Sequence, residues 1–373
     1  MTKLGDVLTI SANKSTHISD KNWLLNLDMV QQQTGEILAY NYVTANELCG
    51  SIIGFDNNVV LYSKLRPNLN KVVLPDKYGF CTSELLPLLP DSKQLNREYL
   101  AWFLRSDSFV NWAVTKTAGA KMPRLGTKEL LSKEIPLPEL STQRRIADTL
   151  DKVSEGIEVC RRMIGKLEVM VQSRFNEVMD FAELSDETTV EKITERVKVG
   201  FVGTCEKYYT DETGIPMIRT GNITNHGIDM RNLKYVTSEF NKRNKKSQIH
   251  NGDLLIARHG SNGQANVYEG PEAQCLNAVV IVPNQTVAKS RFLAELINSP
   301  AIKEQINRTL VGSTQNVVNT KSIANLTIRI PSLKLQEEYE SYVEKIDKTK
   351  LTIQKILDKM ELEKLALMQK YFA

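Results

Sequence analysis

The sequence predicts an α+β fold: two similar domains with mixed, β-rich cores, separated by two long helices that pair as an antiparallel coiled coil with pseudo-twofold symmetry. Three observations predict it. Residues 97–153 recur in register and without a gap at 290–346, so that Gly119 falls on Gly312, 193 positions later. Two segments carry long heptad seams. Short β-rich runs bounded by turn residues precede each seam.

The repeat comes first because it fixes the plan. Leu100-Ala101 falls on Leu293-Ala294, Ser106 on Ser299, Thr127-Lys128 on Thr320-Lys321, and Tyr42-Val43-Thr44 on Tyr235-Val236-Thr237. Pro138-x-Leu140-x-x-Gln143 falls on Pro331-x-Leu333-x-x-Gln336. A unit this long is a duplicated domain with its connecting helix rather than a solenoid repeat. The expected boundaries are 1–140 for the first domain, 141–181 for a central helix, 182–333 for the second domain and 334–373 for a C-terminal helix.

Within each domain, Val59-Val60-Leu61-Tyr62 and Asp253-Leu254-Leu255-Ile256-Ala257 read as strands. One helix is expected over Arg97–Ala113 and another over Arg291–Leu310. A Gly-bearing polar loop follows each, then a strand ending at Pro138 or Pro331.

The long helices are the clearest elements. Ile146, Leu150, Val153, Ile157, Cys160, Ile164, Leu167 and Val171 step alternately by four and three, the spacing of a coiled-coil seam. The second seam runs Tyr339, Val343, Ile346, Lys350, Ile353, Leu357, Met360, Lys364, with two lysines in apolar places. A helix over 143–179 would be about 55 Å long at ~1.5 Å per residue. Neither helix can hide its seam alone, so pairing within the chain is expected, and antiparallel pairing separates the two domains. The lysines fit that arrangement, a further partner surface, or simple snorkelling at the rim.

Composition sets the class. The 373 residues, 41% hydrophobic and 25% charged, are ordinary for a folded soluble chain. No run approaches the ~20 apolar residues that cross a bilayer, and the start carries no secretory pattern. Five cysteines at 49, 81, 160, 205 and 275 show no CxxC spacing. They argue against a disulfide framework or zinc site and for a reducing, cytoplasmic compartment. Cys81 and Cys275 read as small buried residues on core strands.

No catalytic constellation is visible. There is no phosphate-binding P-loop, no GxGxxG after a strand, and no Asn-Pro-Pro-aromatic or Asp-Pro-Pro-aromatic tetrad. The four histidines, at 17, 226, 250 and 259, lack metal-ligand spacing and do not recur between halves. The positions that do recur are Gly, Thr, Lys, Gln, Pro and apolar residues, which suit binding.

Basic residues cluster where a binding face needs them, although the net charge is only +4. Ser108 to Lys128 holds Lys116, Lys121, Arg124 and Lys128 and no acid; Gln305 to Gln336 holds Arg308, Lys321, Arg329 and Lys334 and no acid. Lys64, Arg66 and Lys71 form another such group, matched by Arg258, and Lys242, Arg243, Lys245 and Lys246 form a basic loop. Such segments neutralise phosphates and release counterions. Asn68, Asn70, Asn262, Gln264, Gln315 and Asn316, interleaved with them, can pair with base edges.

With these features in place, the chain resembles the specificity subunits of type I restriction–modification systems over essentially its whole length. The resemblance is carried by Leu61-Tyr-Ser-Lys-Leu-Arg-Pro67 with Asn70-Lys71, by Cys81-Thr-Ser-Glu84, and by Pro138-Glu-Leu-Ser-Thr-Gln-Arg-Arg-Ile146. In the second half it is carried by Gly214-Ile-Pro-Met-Ile-Arg-Thr-Gly-Asn-Ile223, Gly252-Asp-Leu-Leu-Ile-Ala-Arg-His-Gly260 and Gly312-Ser-Thr-Gln-Asn316. It implies two target-recognition domains, each reading half of a split double-stranded DNA site, with the helices as a ruler and as the docking region for two methyltransferase subunits. It implies that the chain itself is not an enzyme and holds no cofactor. S-adenosylmethionine for adenine-N6 methylation would sit on the methyltransferase, and ATP and Mg on the motor–nuclease subunits of an ATP-dependent endonuclease. The DNA-contacting residues are expected to be Lys64, Arg66, Asn68, Lys71, Lys121, Arg124 and Lys128 in the first half. In the second they are Arg219, Asn222, Arg258, Asn262, Gln264, Ser313, Gln315, Asn316 and Lys321.

The halves also differ. Asp56-Asn-Asn58 stands where the second half has Gly252-Asp253, and Gly119-Ala-Lys-Met-Pro differs from Gly312-Ser-Thr-Gln-Asn. These differences predict an asymmetric target. Thr142-Gln143 and Leu335-Gln336 stand in place of the family's Glu-Gln pair. Two alternatives remain: a specificity chain whose partner fuses modification and cleavage, and a coiled-coil scaffold that binds only protein.

Overall fold

The computed structural model describes the chain except residues 12–19, 49, 120, 184, 225–226, 259–262 and 311–316. It divides into two units, one of residues 1–163 with 353–373, the other of residues 164–352.

Each unit holds two principal sheets of matching order. In the first unit, Leu8–Ile10, Leu85–Pro90, Val60–Ser63 and Val72–Val73 form an antiparallel sheet. A second sheet runs Asn41–Val43, Asn22–Leu25, Gly79–Thr82, Ile52–Phe55, its central pair parallel. In the second unit the counterparts are Thr194–Val199, Ala278–Pro283, Leu254–Ala257, Ala265–Val267 and a five-stranded sheet. That sheet runs Tyr209–Thr210, Lys234–Val236, Ile215–Arg219, Ala273–Leu276, Gln248–Ile249, again with a central parallel pair. The 193-residue shift also carries Asn22–Leu25, Asn41–Val43 and Leu85–Pro90 onto strands of the second unit, outside the continuous segment 97–153. Strand positions keep only their burial, and many β-branched and apolar residues satisfy that equally well.

The expected helix over Arg97–Ala113 is two helices, α1 (Arg97–Arg105) and α2 (Asp107–Thr115). Ser106 breaks it: its backbone is extended, and its hydroxyl accepts the Phe109 N–H at 3.2 Å as the cap of α2. A six-residue helix, α3 (Thr127–Ser132), then precedes the long α4 (Leu140–Ala182). The expected helix over Arg291–Leu310 is likewise split into α5 (Ser290–Asn298) and α6 (Pro300–Leu310). Here Pro300 is the cause, because a proline pushes the residue before it out of the helical region and suits a first helical turn. The last two helices are α7 (Thr320–Ala324) and α8 (Leu333–Phe372).

Inside each unit α4 and α8 run antiparallel. In the first, Gly156 lies under the Met360 methyl, Arg161 pairs with Glu361 at 2.7 Å, and Ile146 and Leu150 share a core with Leu367 and Phe372. In the second, Glu168 pairs with Lys350, Arg174 reaches Glu338 at 3.8 Å, and Phe175 packs on Tyr339 at 5.9 Å. Every position of both predicted seams is buried or half-buried. The two seam lysines are accommodated separately. Lys350 forms its ion pair, while Lys364 lies 5.0 Å above the Trp102 ring and is pulled below its ordinary pKa mainly by desolvation.

Cys81 and Cys275 are fully buried on equivalent strands, and burial pushes both thiols up to about 12, which keeps them protonated and inert. Among the described residues no helix is long and apolar enough to cross a membrane, and no group of His, Cys, Asp and Glu is arranged to hold a metal ion.

Candidate nucleic-acid interface

In the first unit the fold joins two basic segments that lie some sixty residues apart. Strand Val60–Ser63 ends beside Lys64, whose carbonyl accepts the Leu125 N–H at 2.9 Å; the Arg66 N–H donates to the Pro123 carbonyl at 2.8 Å. Arg66 adopts φ +49° to open the short turn Pro67–Leu69, with its side chain exposed. This clasp places Lys64, Arg66 and Asn68 on the same loop pair as Lys121 and Arg124. Lys121 is exposed in the turn, and Lys128 is exposed on α3.

The second unit repeats the clasp. The Arg258 carbonyl accepts the Val318 N–H at 3.1 Å, the counterpart of Lys64 with Leu125. The Arg258 guanidinium is then held by Val318 and Asn277: Nε donates to the Val318 carbonyl at 3.3 Å and Nη1 to the Asn277 Oδ1 at 3.1 Å. Asn262, Ser313, Gln315 and Asn316 lie outside the described residues. Lys321 is exposed on α7 and shares a cleft of about 410 Å³ with Arg308, Asn319 and Asn325, whose lining contains no acid. Gln264 is half-buried just before strand Ala265–Val267. The basic run from 242 to 246 is exposed at Lys242, Arg243, Lys245 and Lys246, with Arg243 tied to Glu239 at 2.7 Å.

Several expected contact residues also have partners within the fold. The Lys71 ammonium donates to the Leu27 carbonyl, and desolvation lowers its pKa. Asn70 is buried, with φ +50°, and its Nδ2 donates to the Arg105 carbonyl at 3.0 Å. The Asn222 side chain is buried; its Oδ1 accepts the Arg219 N–H at 3.0 Å and its Nδ2 donates to the Asp229 carbonyl at 3.1 Å. Arg219 is half-buried and reaches the Asn232 carbonyl at 3.3 Å. The Asn68 carbonyl accepts from Gln33 Nε2 at 3.1 Å, leaving its exposed side chain outward.

Arg124 is gripped by Glu84 through three hydrogen bonds of 3.0 to 3.2 Å, which raise its pKa. Glu84 is a site residue that sequence reasoning missed, although it stands in the Cys81-Thr-Ser-Glu84 motif. A second missed group lies in the first unit: half-buried Lys77 sits 3.9 Å over the exposed Tyr40 ring and donates to the hydroxyl of the exposed Tyr42 at 2.9 Å. Its only signal was the recurrence of Tyr42-Val43-Thr44.

Chemically, the first unit presents ammonium and guanidinium groups on a loop pair tied to a strand end, and the second holds the Arg258 guanidinium at the matching strand end, with the exposed Lys321 on α7. Such a surface can neutralise phosphates and offer donors and acceptors to base edges.

The profile of a protein family described as the type I restriction modification DNA specificity domain matches residues 1–169 and 186–363. The chain is 20% identical over 260 residues to the type I restriction enzyme EcoBI specificity subunit of Escherichia coli, covering 62% of this chain and 55% of that one. It is 22% identical over 294 residues to the MjaVIII specificity subunit of Methanocaldococcus jannaschii, covering 73% and 68%. The EcoDI specificity subunit of E. coli is 23% identical over 133 residues, 29% of its length. The chain thus spans from under a third to about half of the two E. coli relatives. In fold it is similar to the S subunit of a type I restriction–modification system from M. genitalium, with a TM-score of 0.64, 15% identity and coverage of 100% and 95%. It is also similar, at a TM-score of 0.59, 15% identity and coverage of 100% and 96%, to a chain solved in work on assembly and conformational transition of the type I R-M system.

Proposed function

Because the chain belongs to the type I restriction modification DNA specificity family, we propose that it is the sequence-specific DNA-binding subunit of a type I restriction–modification complex. Each unit reads one half of an asymmetric bipartite site in double-stranded DNA. The clasp carries this reading: at the same place in both units a strand end and a distant basic segment are hydrogen-bonded together, Lys64 with Leu125 and Arg258 with Val318. The shared backbone geometry supports a common docking mode, while Arg66, Asn68 and Lys121 against Arg258, Gln264 and Lys321 give the halves different words.

Phosphate contacts by the exposed lysines and arginines set position, and amide and guanidinium groups read base edges. The paired helices hold the spacing and supply the docking region for two methyltransferase subunits, which bind S-adenosylmethionine and methylate adenine N6. Motor–nuclease subunits, with ATP and Mg, complete the restriction complex. The experiment is to express the chain with its methyltransferase partner and map N6-methyladenine genome-wide. One asymmetric split sequence with a fixed spacer is expected; methylation without a split sequence would refute the reading.

A further inference from the structure

One side chain is anchored identically at the start of each long helix. Gln143, on α4, is fully buried; its Oε1 accepts the Asn96 N–H at 2.8 Å, and its Nε2 donates to the Gln94 and Pro138 carbonyls, both at 2.8 Å. Gln336, on α8, is also fully buried; its Oε1 accepts the Lys289 N–H at 2.9 Å, and its Nε2 donates to the Val287 carbonyl at 3.0 Å and the Pro331 carbonyl at 2.9 Å. Each partner is related to its counterpart by the same shift as the glutamines themselves.

All six partners are backbone groups. The residues that carry them differ, Gln94-Leu95-Asn96 against Val287-Ala288-Lys289, yet the glutamine does not. Only a primary amide one ethylene from the backbone supplies one acceptor and two donors at that reach. The three bonds join the long helix, the segment leading into it, and the loop that begins α1 or α5. Apolar packing resists separation but tolerates small rotations, whereas three directional bonds from one planar group do not. Other ties differ between the units: among them, Trp102 Nε1 donates to Asp151 at 2.9 Å in the first, and Arg291 bridges Asp347 and Glu269, both at 2.7 Å, in the second, where Lys289 also pairs with Glu337 at 2.9 Å.

We propose that Gln143 and Gln336 are positioning residues that fix the angle at which each recognition domain leaves its long helix, and thereby the spacer length accepted between half-sites. The proposal rests on the reading of the units as half-site readers held by the helices.

The test uses the full chain assembled with its methyltransferase partner, carrying Gln143→Met, Gln336→Met or both. Methylation rates are compared on duplexes whose spacers run from two base pairs shorter to two longer than the parental optimum. Binding to duplexes with one half-site is measured alongside. The expected result is a loss of about tenfold or more in the preference for the parental spacer, since small misplacements carry large rate penalties, with one-half-site binding kept. Gln143→Asn, which keeps the amide but sets it one methylene short, gives a smaller loss and serves if the Met variants do not fold. Leu88→Ala, a core change elsewhere, lowers thermal stability without moving the spacer preference. Folded Gln variants that keep the parental preference overturn the proposal. A parental complex with no spacer preference overturns instead the function on which it rests.

Discussion

The Arg124 guanidinium holds the Glu84 carboxylate in a fork, Nη2 to Oε1 at 3.0 Å and Nε to both oxygens at 3.2 Å, although the residues lie forty positions apart. An arginine from an acid-free stretch of sequence is therefore partly neutralised in space. Lys121, exposed on the same loop, has no such ion pair among the described residues. Lys121→Ala should lower the slope of log Kobs against log salt by about 0.9, the value for one lost phosphate contact. Arg124→Ala should lower it by less, and Glu84→Gln should steepen it by freeing the guanidinium. Equal slopes in the three variants would remove this loop from the DNA surface.

Arg258, in the second unit, is fixed by two acceptors, Val318 and Asn277. Arg258→Ala should alter the second half of the methylated site and leave the first unchanged. Arg258→Lys should restore little, because an ammonium cannot reproduce the planar fork. Methylome maps of the variants decide it; a loss shared evenly by both halves counts against the assignment.

The helical seam predicts a ruler. Adding one heptad to each of α4 and α8 keeps the seam in phase while lengthening each helix by about 10 Å. The preferred spacer between half-sites should then change. A preference that stays at the parental length would show that the helices do not set it.

Lys303 on α6 is half-buried, and desolvation lowers its pKa to about 8. The unfolded chain keeps that proton up to about 10.5, so between these values the unfolded state binds more protons and stability rises with pH. Discounted for partial exposure, the gain is about 1 kcal/mol. Denaturant midpoints across the window should climb for the parental chain and climb less for Lys303→Met; parallel curves would contradict the burial.

Phe372 packs on Tyr99 and Phe103 at 5.2 and 6.0 Å and is 3% exposed. Phe372→Ala should destabilise the first unit by about 3 kcal/mol, seen as earlier exchange of amides in α1, with α5 in the second unit unaffected.

Residue periodicity made the long helices legible, because a heptad seam leaves little freedom at every third or fourth position: Ile146 to Val171 and Tyr339 to Lys364 are all covered. The duplicated Pro-x-Leu-x-x-Gln was legible for the same reason, since Gln143 and Gln336 do a job no other side chain can. The breaks at Ser106 and Pro300 were masked by apolar spacing that continues across them. Tertiary pairing was not legible at all. Nothing local to Arg124 announces Glu84, and nothing local to Asn70 shows that its amide turns inward to Arg105 rather than outward.

The first unit is assembled from residues 1–163 and 353–373, with the whole second unit between them in the chain. During synthesis the earlier part of the first unit therefore precedes the segment whose Phe372 packs on Tyr99 and Phe103. The second unit, continuous from 164 to 352, has all its parts first. Birth order and completion order are reversed: the unit begun first is the last to receive all its parts.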